Sequence, residues 1–151
     1  MGLFGLRGRW MVTVLLLMTA ACSDPFQVIE EVVFDPSLGI DLAAMTLLPS
    51  GVYIEDMPVG TGDMAVLGST ATVNYTGWLV DGSEFDSGLS VAFTLVSGAL
   101  VDGFLDGMLG MQVGGTRRMI IPPEQGYGEA GRGSVPGGAI MVFEVELLEV
   151  S

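Results

Sequence analysis

Leu100 to Gly128 reads LVDGFLDGMLGMQVGGTRRMIIPPEQGYG, and its change of period decides the fold class. Val101, Phe104, Leu105 and Met108 recur at spacings of three and four, the pattern of one apolar helix face. That spacing predicts a short helix over Leu100 to Leu109, in which Gly103 and Gly107 each cost about 1 kcal/mol relative to alanine. So short a helix holds only when packed against a sheet. Thr116 to Ile121 then reads as a strand stopped by Pro122-Pro123, and residues 122–139 form a loop rich in glycine and proline.

Outward from this stretch the texture is one of short β-like runs punctuated by glycine. Val52 to Met57, Thr70 to Val80, Ser83 to Asp86 and Val91 to Val96 precede the helix, with Asp81-Gly82 as a hairpin turn; Ala139 to Val150 closes the chain. Strands outnumber helices and no βα alternation appears. The expectation is an α+β domain over residues 51–151, an antiparallel sheet of about five strands with one short α-helix.

Composition narrows the chemistry. The 151 residues suit one domain. There is no histidine and one cysteine, Cys22, which excludes Ser-His-Asp and Cys-His nucleophiles, Cys/His zinc sites and an intrachain disulfide. Five arginines and no lysine face 18 Asp and Glu, a formal charge of −13, so nucleic acid is not a partner. A carboxylate-only metal site is conceivable from the abundance of acids, but neither a metal nor a cofactor is expected.

The N-terminus reads as an address. Residues 1–9 carry Arg7 and Arg9 and no acid, and Trp10 to Ala21 is an uncharged run ending in small residues, so 1–21 reads as a signal peptide. That run has 12 residues, whereas a membrane-spanning helix needs about 20. MTAAC, ending at Cys22, resembles the lipobox of bacterial lipoproteins, with Thr19 where leucine is usual; the alternative is a plain secretory peptide with an incidental cysteine. The resemblance implies lipidation of Cys22 and a membrane anchor, and Ser23 fits delivery to the outer membrane, facing the periplasm. Cleavage leaves three arginines against 18 acids, a net charge of −15. Lipid and not electrostatics would then make the attachment. Residues 22–50 read as a lipid-anchored spacer, although Val28-Ile29 and Val32 to Phe34 argue against a simple tether.

Several motifs dissolve on inspection. Gly126 to Gly131 matches G-x-G-x-x-G, but Gly133, Pro136, Gly137 and Gly138 follow and no helix can start there to hold a pyrophosphate. Asp102 and Asp106 share a helix face that reads as solvated. Asn74-Tyr75-Thr76 fits a glycosylation acceptor but lies within a strand. Arg117-Arg118 interrupts an apolar strand; one is expected to face solvent and one to pair with an acid such as Asp86.

Three blocks carry a resemblance. YTGWLVDGSEFDS from Tyr75 to Ser87, the stretch from Leu100 to Gly128, and the closing VPGGAIMVFEVELLEV together resemble the FKBP-type peptidyl-prolyl isomerases. The resemblance implies a bent sheet wrapped around the helix with an apolar pocket between them. Tyr75, Phe85, Asp86, Leu100, Val101, Phe104, Tyr127 and Phe143 would line it, with Phe104 as the floor. Phe93 joins this aromatic set. The Val101 N–H and the Tyr127 hydroxyl would donate to substrate carbonyls. In a gap-free register Val91 stands where the family has an aromatic, the segment between Asp86 and Val91 is short, the loop after Gly131 is one residue short, and Asn74 replaces a common histidine. The function so implied is acceleration of X–Pro rotation in exported proteins, with proline-containing polypeptides as substrates, rapamycin-like macrolides as ligands and a monomeric state. The alternative is a non-catalytic chaperone or binding module using the same pocket, favoured by a thinner wall at Val91; a scaffold of the envelope is a third.

Overall fold

The computed structural model describes residues 28–151; the segment read as a signal peptide and Cys22 lie outside the described residues. Six strands form one antiparallel sheet: β1 (Thr46–Leu47), β2 (Tyr53–Asp56), β3 (Thr70–Leu79), β4 (Glu84–Thr94), β5 (Thr116–Ile121) and β6 (Met141–Val150). Their order is β1-β2-β5-β6-β3-β4, and the one α-helix among the described residues, α1 (Asp102–Met108), crosses the concave face.

The strand count exceeds the expected five because the segment read as a spacer contributes β1. The two short runs before the helix join into the single strand β4, because a bulge bridges them: Val73 pairs with Val91 and Tyr75 with Gly88, so Leu89 and Ser90 together face Asn74. The Asn74 side chain accepts the Ser90 N–H at 2.9 Å and replaces the missing rung.

The two glycines that weaken α1 as a helix are what let it lie on the sheet. A Cβ at Gly103 would run into Ile121, and one at Gly107 into the Met119 sulfur. With them absent, Phe104, Leu105 and Met108 bury themselves against β5 and β6.

Both faces of the sheet are covered at one end. On the convex face, residues 28–50 run as three 3₁₀ turns (Ile29–Glu31, Pro36–Leu38, Leu42–Ala44) and seat Ile29, Leu38 and Met45 on Tyr53, Ile120, Ile140 and Val142. Polar bonds pin this strap: the Asp35 N–H donates to Val80 O at 2.8 Å, and Arg118 donates to Gly39 O at 3.0 Å. The Tyr53 hydroxyl donates to Glu30. That bond holds the Glu30 carboxyl below its ordinary range and raises the Tyr53 phenol.

Arg117 and Arg118 point to opposite faces, and neither pairs with Asp86. Arg117 is buried on the concave side, bonded to both Asp56 oxygens at 2.7 and 3.0 Å. It also donates to the carbonyls of Gly107 and Leu109 at the C-terminal end of α1. Arg118 pairs with Glu144 across the convex face at 3.1 Å. The expected partner was wrong because β2 lies beside β5 whereas Asp86 lies at the far edge of the sheet, on β4.

Candidate functional site

A cleft of about 360 Å³ opens on the concave face between the sheet and the entry to α1. Each wall comes from a different element. β3 supplies Tyr75, β4 supplies Asp86 and Phe93, β6 supplies Phe143, and the turn into α1 supplies Gly98, Ala99, Leu100 and Val101. Phe104 reaches in from α1, while the loop after β5 contributes Tyr127 and Arg132.

The aromatics form an edge-to-face cluster, the arrangement their quadrupoles favour. Phe104 meets Phe143 at 5.0 Å between centroids and 74°, and Phe93 at 5.5 Å and 71°. Phe104 is only 4 % exposed, which makes it the floor.

Two residues expected in the lining stand elsewhere. Phe85 is not among the lining residues; its ring backs Phe143 edge-on at 5.4 Å and 88°. This is possible because position 77 is glycine: a Cβ there would stand 2.7 Å from both rings. Val91 does not reach the cleft. The bulge sets it opposite Val73, one rung beyond Tyr75, beneath Gly88. The thin wall expected at Val91 therefore does not arise, since β4 closes that side with Phe93.

The polar groups are few and placed at the rim. The Tyr75 hydroxyl donates to Asp86 Oδ2 at 2.9 Å. Burial, followed by this bond, pushes the Tyr75 phenol up to about 12, so it is a fixed donor across the neutral range. Among the described residues no acceptor takes the Val101 N–H, and the Tyr127 hydroxyl has no partner. Two uncommitted donors thus face a space walled by aromatic rings. No nucleophile–base pair is present in the lining.

Gly98, Ala99 and Arg132 line the cleft without being expected there, and Arg132 is the one of the three that carries a charge. Its guanidinium carbon stands 5.7 Å from the centroid of Tyr127. A signal was available: it is one of only three arginines beyond Cys22, and it lies inside a glycine-rich loop.

An open antiparallel sheet curled about one short helix, with an aromatic cleft between them and free donors at its rim, is the architecture of a prolyl isomerase domain. Solved structures agree. FkpA from Escherichia coli superposes with a TM-score of 0.67 at 34 % identity, over 72 % of this chain and 52 % of that one. A peptidyl-prolyl cis-trans isomerase from Pseudomonas syringae pv. tomato gives 0.67 at 30 % identity, over 72 % and 81 %. The sequence model of the FKBP-type peptidyl-prolyl cis-trans isomerases matches residues 62–148. An FK506-binding protein of Neisseria meningitidis serogroup B is 47 % identical over 105 residues, 66 % of this chain and 96 % of the relative. The chain belongs to the FKBP-type peptidyl-prolyl cis-trans isomerase family.

Proposed function

We propose that this protein is a lipid-anchored prolyl isomerase that speeds X–Pro rotation in exported polypeptides at the cell envelope. The observation that carries the catalytic half is the aromatic cleft with two uncommitted donors, Val101 N–H and Tyr127 OH, at its rim. Rotation about a peptide bond is opposed by about 18–20 kcal/mol of resonance. The planar amide is the more dipolar state, and the twisted one has lost that charge separation. A water-poor aromatic cleft therefore disfavours the ground state relative to the transition state. The rim donors hold the flanking chain while the prolyl ring sits on Phe104 and Phe143. Asp86, fixed by Tyr75, orients the peptide on the β4 side. No bond is broken, so the lack of a nucleophile is no obstacle.

The anchoring half is supported by the basic start, the 12-residue apolar run and Cys22 after Ala20-Ala21. Acyl chains add about 0.8 kcal/mol per buried methylene, enough for several chains to hold the protein at a membrane. The relatives named FK506-binding proteins bring a macrolide such as FK506 to this cleft as a competing ligand. The chaperone alternative would use the same cleft, and suppression of aggregation without proline dependence would favour it.

The test is two-armed. The purified full chain is assayed by NMR exchange on a short X–Pro peptide beside the Phe85→Ala, Phe143→Ala pair. Acceleration by the parent and a loss of at least tenfold in the pair, about 1.4 kcal/mol of barrier, is expected. Full activity in the pair sinks the catalytic account. Separately, cells fed a labelled fatty acid should label the parent and not Cys22→Ala; equal labelling or none refutes the anchor.

A further inference from the structure

The cleft contains one cation in a chain that has almost none to spare. Of the three arginines among the described residues, Arg117 is committed to Asp56 and two helix carbonyls, and Arg118 to Glu144 and Gly39. Arg132 alone has no carboxylate partner among the described residues, although acids far outnumber arginines in the chain. It is not left loose. The Arg132 N–H donates to Val135 O at 2.9 Å and the Val135 N–H returns the bond to Arg132 O at 2.9 Å. Val135 is buried in the concave core, and Ser134 donates to Phe85 O across the cleft mouth at 3.4 Å. The turn is thus tied at both sides, and the guanidinium rests over the face of Tyr127. The same cleft holds Asp86, already bonded to Tyr75.

We infer that Arg132 is a specificity-determining residue that selects substrates with an acidic side chain next to the proline, its guanidinium pairing with that carboxylate while the prolyl ring occupies the cleft. The inference rests on the isomerase reading above and adds to it the chemistry of the flanking residue. An unpaired guanidinium on a tied turn needs little further ordering to meet a carboxylate, and its fork suits that geometry. The strongly negative remainder of the molecule disfavours acidic peptides in general. A preference for them therefore has to come from this one group.

The experiment compares peptides that differ only in Glu, Gln or Lys before the proline, using the full chain and its Arg132→Gln and Arg132→Lys forms. The quantity read is the ratio of kcat/KM for Glu against Gln within each protein. The parent should favour Glu about threefold at low salt, the scale of an exposed ion pair. Arg132→Gln should bring the ratio to one or below, and Arg132→Lys should keep most of it. In 0.5 M salt the parent's preference should shrink toward one. A ratio unchanged by Arg132→Gln overturns the proposal, as does a parent that prefers Lys. If no peptide is accelerated at all, the isomerase reading fails. The same ratio, taken from peptide affinities by NMR titration, still decides the charge preference.

Discussion

The two faces of this sheet carry apolar layers of similar make, and only one of them is closed. On the convex face, the strap of residues 28–50 seats Ile29, Leu38 and Met45 on the strands. On the concave face, α1 covers β5 and β6 but stops short of β4, and the gap is the aromatic cleft. Strand β6 records the difference residue by residue. Met141, Val142 and Phe143, with Ile140 just before the strand, are all buried, because both faces are covered there; from Glu144 onward the pattern alternates as Glu144-Val145-Glu146-Leu147, because the strap has ended. The closed face is where apolar burial stabilises the fold. The open face is where the same chemistry is left for a substrate.

The largest test of this division removes the strap. A chain beginning at Gly51 loses three buried side chains worth about 1.5–3 kcal/mol each. That is roughly 5 kcal/mol or more against the 5–15 kcal/mol of a typical domain, and urea denaturation should show a much lower midpoint or no cooperative transition. Next in size, Leu38→Ala should lower unfolding stability by about 3 kcal/mol, while kcat/KM on an X–Pro peptide stays within about twofold of the parent at temperatures where both are folded.

Asp56→Asn probes the concave side. It strips the buried Arg117 of its carboxylate while that guanidinium still holds the end of α1. Removing one partner of a buried pair costs 3–5 kcal/mol at full burial; with Asp56 30 % exposed, about 2 kcal/mol is expected by urea denaturation. The smallest effect is read by alkaline titration. The Tyr75 phenol ionises near 12 when folded and near 10 when unfolded, so its contribution to stability is intact below pH 10 and is lost as pH rises toward 12. Tyr75→Phe should flatten that part of the stability curve, and the parent's ultraviolet titration should show one phenol ionising near pH 12.

Much of the open face was legible in the sequence, because helix period, strand order and aromatic positions are local signals. Tyr75, Asp86, Phe93, Leu100, Val101, Phe104, Tyr127 and Phe143 all line the cleft. Phe85 and Val91 do not, for reasons that local pattern does not carry: Phe85 falls at the register shift between Gly77 and Trp78 and packs over Gly77, and a separate bulge at Leu89-Ser90 sets Val91 opposite Val73. The strap was harder still. Its 3₁₀ turns have no sustained period, and Ile29, Leu38 and Met45 find their partners on strands far along the chain. The partner of Arg117 was misjudged for the same cause, since β2 and β5 become neighbours only through the sheet order.

Whether one face holds the fold while the other serves the rotation is decided by a matched pair of variants. Leu38→Ala and Phe104→Ala each remove a buried apolar side chain, one from each face. The measurement is the catalysed cis–trans exchange rate of one X–Pro peptide, by NMR, at equal concentrations of folded protein. Leu38→Ala should match the parent within about twofold, and Phe104→Ala should fall by at least tenfold, about 1.4 kcal/mol. Equal rates from the two variants, whether both retained or both lost, would contradict that division.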